Sequence, residues 1–161
     1  MQKITPFLWF DYQAEEAMNF YVATFKNSQI LSVQRYGDEG AAASGQAAGS
    51  VMTASFVLDG QEFVALNGGP VYKITPAISF VVNCETQDEV DDMWTKLTAG
   101  GEEVQCGWLT DKFGVSWQVV PVQLLRLMAD PDPAKAGRVM QAMLQMKKLE
   151  IAGLQRAYDA A

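Results

Sequence analysis

The sequence predicts an α+β fold of two tandem β-α-β-β-β modules followed by a C-terminal helical extension. Three observations carry this. Strand-like runs and a single helical period recur in the same order in both halves of the chain, an Asp-Gly hairpin signal divides two alternating runs in the first half, and the pattern becomes helical after Pro121. The modules cover about residues 1–75 and 76–125, together one domain over 1–125, and residues 126–161 form the extension. At 161 residues with 49% hydrophobic content the chain can bury one real core, so the extension is read as an appendage of it rather than a second domain.

Each element has its own warrant. Residues 4–10, ITPFLWF, are a short apolar run suited to a buried strand, with Pro6 favouring an edge or the strand's first residues. Asp11 offers an N-cap to a helix whose apolar residues Ala14, Ala17, Met18, Tyr21, Val22 and Phe25 recur at three- and four-residue steps, with Glu15 and Glu16 in the first turn. QILSVQRYG, residues 29–37, alternates as a strand does. The Gly-, Ala- and Ser-rich residues 37–49 supply neither period nor bulk and are expected to be a mobile loop. Two strands then flank Asp59-Gly60, a dipeptide preferred in type I′ turns. In the second half AISFVVNCE is a strand, Thr86 and Glu89 make a capping box, and Val90, Met93, Trp94 and Leu97 stripe a helix that ends at Gly100-Gly101. EEVQCGWL and FGVSWQVVP close the module as strands. In the extension VQLLRLMAD is a short helix, Asp132-Pro133 starts another, and one helical face continues from Val139 to Tyr158 with a break near Lys147. Met140, Met143 and Met146, on or beside that face, are read as packing on the sheet or on a second subunit.

Composition excludes several functions. The net charge of −7, from 12 Lys and Arg against 19 Asp and Glu, opposes binding to nucleic acid, whose phosphates attract cations. No apolar run approaches the roughly 18 residues of a membrane span, and the N-terminal residues lack a secretory signal pattern, so a cytoplasmic location is expected. Histidine is absent, which removes the commonest general base and transition-metal ligand and rules out Ser-His-Asp and Cys-His nucleophile systems. Cys84 and Cys106 form no CxxC pair and fit reduced thiols, with a single disulfide as the alternative.

The stretches TPFLWFD with EEAMNFY, FVLDGQEFVALNGGP, ISFVVNCETQDEVDDMW and CGWLTDKFGVSWQVVP resemble the PhnB-like family, which carries the name 3-demethylubiquinone 3-methyltransferase. That family sits in the vicinal oxygen chelate superfamily with the glyoxalase, bleomycin-resistance and extradiol dioxygenase proteins. The resemblance covers nearly the whole chain and implies a curved sheet around a cleft, a small-molecule ligand and a homodimer. Metal-using relatives often carry a glutamate four residues after the glycine of a D-x-x-G turn, and counting from Gly114 puts Gln118 there. The matching place in the first module falls near Ala65, with Asn67 two residues on. The first strands offer Ile4 or Thr5 and Ile78 or Ser79 where relatives place histidine or glutamine. By this comparison the usual metal site is missing, and no cofactor is expected.

What the resemblance leaves is a concave site of amides and aromatics. Gln118, Asn67 and Ser79 would orient a polar ligand, with apolar walls drawn from Phe7, Trp9, Phe63, Trp108 and Trp117, of which strand alternation lets only some face inward. The competing reading of Gln118 is a buried amide that satisfies backbone groups. Cys106 is read as a small apolar residue in preference to a reactive thiol, since Lys112 is its only cation nearby in sequence, and Asp111 as a turn residue. The leading function is metal-independent binding of a small, partly aromatic molecule. The alternative is an enzyme, either a lyase, isomerase or dioxygenase built on Glu62, Glu85, Glu102, Glu103 or Asp111, or methyl transfer to a quinone-like ring. Against the last, GDEGAAASG joins two strands and lacks the strand-to-helix glycine turn of a Rossmann-like methyltransferase.

Overall fold

The computed structural model describes residues 2–161, which form two compact units, one ending at Ile74 and the other spanning Thr75–Ala161. In the first unit β1 (Phe7–Phe10), α1 (Ala14–Thr24), β2 (Gln29–Arg35), α2 (Asp38–Ser44), β3 (Val51–Leu58) and β4 (Gln61–Asn67) follow one another. The sheet order is β1-β4-β3-β2, with β1 parallel to β4 and the other neighbours antiparallel. One face of the sheet is buried by α1. Tyr21 of the helix meets Phe56 of β3 with ring centroids 6.2 Å apart, and Phe56 stacks on Phe63 of β4 at 5.7 Å.

Three local expectations change in this unit. The first strand begins only at Phe7, because Pro6 has no N–H to give a ladder, although its carbonyl still accepts from Val64. Asp11 does not cap α1. Gln13 holds the N-cap position without a side-chain bond, and the Ala14 N–H donates instead to Oδ1 of Asn67 at 2.8 Å. The residues expected to be a mobile loop contain α2. Alanine has the highest helix propensity, Asp38 and Glu39 favour the positive end, and Gly45 closes the helix at φ 74°, so the segment folds on local terms although it buries no residue. The β3–β4 hairpin turns as expected, with Asp59 at φ 45° and Gly60 at 81°.

The second unit repeats the plan. It contains β5 (Ser79–Cys84), α3 (Gln87–Thr98), β6 (Glu102–Glu103), β7 (Trp108–Thr110) and β8 (Ser116–Pro121), ordered β5-β8-β7-β6 with β5 parallel to β8. Helix α3 is capped by Thr86, whose Oγ1 accepts from the Glu89 N–H at 3.2 Å, while the Glu89 carboxylate accepts from the N–H of Glu85. The run 102–109 is not one strand. Cys106 and Gly107 both take left-handed angles, φ 61° and 82°, and this turn separates β6 from β7.

Three helices complete this unit: α4 (Val122–Met128), α5 (Pro133–Leu144) and α6 (Ile151–Asp159). The break expected near Lys147 is the non-helical segment between the last two. Val120 of β8, Leu124, Leu127, Val139, Leu149 and Leu154 form the helices' own core, with Met143 and Met146 packed against it. The segment before α6 is also pinned to the module. Cys106 and Gly107 donate their N–H groups to the carbonyls of Met146 and Lys147, both at 2.8 Å, and Gln87 both donates to the Leu149 carbonyl and accepts from the Ile151 N–H. Among the described residues no helix is long and apolar enough to cross a membrane.

Candidate functional site

Strand alternation sorts β8 into two faces. Trp117 and Val119 point to one, which α3 covers, and Trp117 donates its indole N–H to Oδ2 of Asp111 at 2.8 Å. The other oxygen of Asp111 accepts from the N–H groups of Phe113 and Val115 at 2.8 and 3.0 Å. This buried carboxylate therefore builds the turn between β7 and β8, in which Gly114 adopts φ 88°. Trp117 belongs to that support.

Gln118 points to the opposite face. It is half-buried, and its Nε2 donates to Oγ of Ser79 at 3.0 Å, across 39 residues of sequence. The pairing explains how the two meet: Gln118 sits beside Val81 of β5, two residues and hence one same-face step from Ser79. On its other side Gln118 pairs with Trp108 of β7. Ser79, Gln118 and Trp108 are thus brought together on one sheet face. Val81, 49% exposed, lies in the same row and belongs with them. Val81 is not among the candidates the sequence offers, although its spacing of two from Ser79 gives its face.

The remaining candidates lie in the first unit and have other partners. Asn67 is buried; Oδ1 caps α1, Nδ2 donates to the Val51 carbonyl at 3.1 Å, and its own carbonyl accepts from the Tyr36 hydroxyl at 2.6 Å. Phe63 is within the core stack on Phe56. Trp9 is half-buried, donates its indole N–H to the Gly69 carbonyl at 2.9 Å and meets the edge of Tyr72 with ring centroids 5.1 Å apart. Gly68 makes room for that indole, since a Cβ there would fall 2.3 Å from it. Phe7 is exposed at the edge strand.

The acids and thiols are dispersed. Glu103 accepts from the Trp94 indole N–H at 2.7 Å, which ties β6 to α3. Among the described residues no three Cys, Asp or Glu side chains come together as a group able to hold a metal ion. Both cysteines are free thiols rather than a disulfide. Burial, assisted by the Glu89 carboxylate, pushes the Cys84 thiol up to about 12, which keeps it protonated and inert at neutral pH.

Comparison with known proteins agrees with this architecture. A family model described as 3-demethylubiquinone-9 3-methyltransferase matches residues 2–120. Among solved structures, the PhnB protein from Bacillus cereus, which bears the same methyltransferase name, is 41% identical over 74% of this chain and 99% of its own, with a TM-score of 0.66. The chain therefore belongs to the 3-demethylubiquinone-9 3-methyltransferase family. A Pseudomonas aeruginosa protein shares the fold at 23% identity, over 75% of this chain and 98% of that one, with a TM-score of 0.61. So does the fosfomycin resistance protein FosX from Listeria monocytogenes, at 14% identity over 74% of this chain and 90% of that one, with a TM-score of 0.51. Among curated protein sequences none matches significantly. The family match ends before α4, so the three C-terminal helices lie outside it.

Proposed function

We propose that this family member binds a small ring-containing molecule on the sheet face formed by Ser79, Gln118 and Trp108, without a resident metal, and that it works in the cytoplasm as a homodimer. The observation that carries the proposal is the Gln118–Ser79 hydrogen bond. Two polar side chains meet across strands beside an indole and the exposed Val81, and among the described residues neither is used to satisfy backbone. An oriented amide and hydroxyl against an aromatic wall is the composition of a small-molecule site. The dimer is supported by the family resemblance and by Leu125, Met140 and Leu144, which are exposed on α4 and α5. Sedimentation at micromolar concentration should show twice the 17.7 kDa chain mass, and a species of 17.7 kDa alone would remove this part of the proposal.

The site is tested by screening quinones, phenolics and glycopeptide antibiotics for a rise in melting temperature, which a ligand selective for the folded state produces. Gln118→Leu then removes one orienting hydrogen bond while filling the same volume. An unpaired polar group in a buried site costs about 1–3 kcal/mol, so affinity should fall about 10- to 100-fold with a much smaller change in stability. Unchanged affinity with clear destabilisation would make Gln118 a structural amide. The family name favours a second reading, methyl transfer to a quinone-like ring at the same face. Methylated product from a bound quinol and a labelled sulfonium methyl donor would decide for it.

A further inference from the structure

The Gln118–Ser79 pair has a direction. Gln118 gives an Nε2 hydrogen to Ser79, which fixes the amide, and among the described residues its Oε1 has no donor and the Ser79 hydroxyl hydrogen has no acceptor. An unused acceptor and an unused donor therefore stand side by side. Beside them lie the Trp108 indole and the exposed Val81.

Charge narrows the ligand further. The strands SFVVNC, WLT and SWQVVP contain no charged residue. The nearest charged residue in the ladder on this face is acidic: Glu102 of β6 pairs with Thr110, two residues along β7 from Trp108. An anion placed here would lose water and meet no cation on these strands, a penalty that a neutral carbonyl escapes.

Resting on the binding role proposed above, we infer that this face selects a neutral planar ring bearing an O–H or N–H donor next to a carbonyl acceptor, and rejects the same ring when the acceptor is a carboxylate. The ligand's donor goes to Gln118 Oε1, its carbonyl accepts from the Ser79 hydroxyl, and the ring lies against Trp108. Salicylamide and salicylate are a matched pair of probes, identical but for an amide in place of the carboxylate.

Titration of each into the full chain at pH 7, by calorimetry or ligand-observed NMR, should give salicylamide an affinity at least about tenfold higher, the counterpart of one lost hydrogen bond or an uncompensated charge. Gln118→Leu and Ser79→Ala should each weaken salicylamide about tenfold, and Gln118→Lys should reverse the order by supplying a cation. The reversal is a gain of salicylate affinity, which a merely damaged fold does not produce. Salicylate binding as tightly as salicylamide to the unaltered protein would overturn the neutral-ligand inference and leave the binding role standing. Failure of salicylamide to bind also overturns it; the binding role falls with it only if the wider screen finds no ligand whose affinity depends on Gln118.

Discussion

Asn67 and Gln118 are both strand amides, and the fold commits them in opposite ways. Asn67 spends its acceptor on the first free N–H of α1 and its donor on the Val51 carbonyl, so removing it uncaps a helix and strands a buried backbone oxygen at once. Loss of a cap costs about 1 kcal/mol and an orphaned buried acceptor about 1–3 kcal/mol. Asn67→Ala should therefore lower stability by about 2–4 kcal/mol, read as a shift in the urea midpoint, while affinity on the Gln118 face stays unchanged. Lost binding with an unmoved midpoint would instead return Asn67 to the ligand site. The sequence marks both amides as unusual within apolar runs, but it does not tell which has spent its hydrogen bonds. That depends on where α1 begins, and the local signal for its start, Asp11, points three residues upstream of Ala14, the residue Asn67 caps.

Among the elements, the segment between α5 and α6 connects the C-terminal helices to the proposed site. It holds the Cys106–Gly107 turn by two backbone bonds, and Trp108 follows directly on that turn. The approach is close: a Cβ on Gly107 would lie 2.8 Å from the Val119 carbonyl and 2.9 Å from Leu149 Cδ1. Leu149, fully buried, anchors the segment in the helical core. Leu149→Ala should cost about 2–5 kcal/mol through lost transfer energy and the cavity left behind. It should also weaken ligand binding, because the turn that carries Trp108 loses its brace; a full stability loss with unaltered affinity would show that the helices do not position Trp108. Elements with strong period or capping chemistry, such as α1, α3 and the Asp59-Gly60 hairpin, were legible in the sequence. Helix α2 was not. It carries no apolar stripe, and the alanines that stabilise it resemble linker composition when read without their acidic start and glycine stop.

At the scale of the molecule, the two modules have the same strand order, each with its first strand at the sheet edge, parallel to its last. That repeat was readable because it is a repeat of hydrophobic pattern, whereas the composition of the site depended on side-chain partners that no pattern encodes. The donor set is a property of the whole chain as well. With no histidine in 161 residues and, among the described residues, no cluster of acids and thiols, a metal would have to be held by lone carboxylates or a single thiol, with amides and water. Such sites are weak for first-row metals, which favour imidazole and thiolate. An ion bound only to the folded state raises the melting temperature by RT ln(1 + [L]/Kd), about 2.7 kcal/mol at a hundredfold excess over Kd. The melting temperature should therefore be the same in EDTA and in Mn2+ or Zn2+ at submillimolar concentration, and ligand affinity at the Gln118 face should be equally indifferent. A saturable rise in melting temperature at about one ion per chain, abolished by Gln118→Leu, would show that the amide is a metal ligand and that the face works by coordination, not by hydrogen bonding.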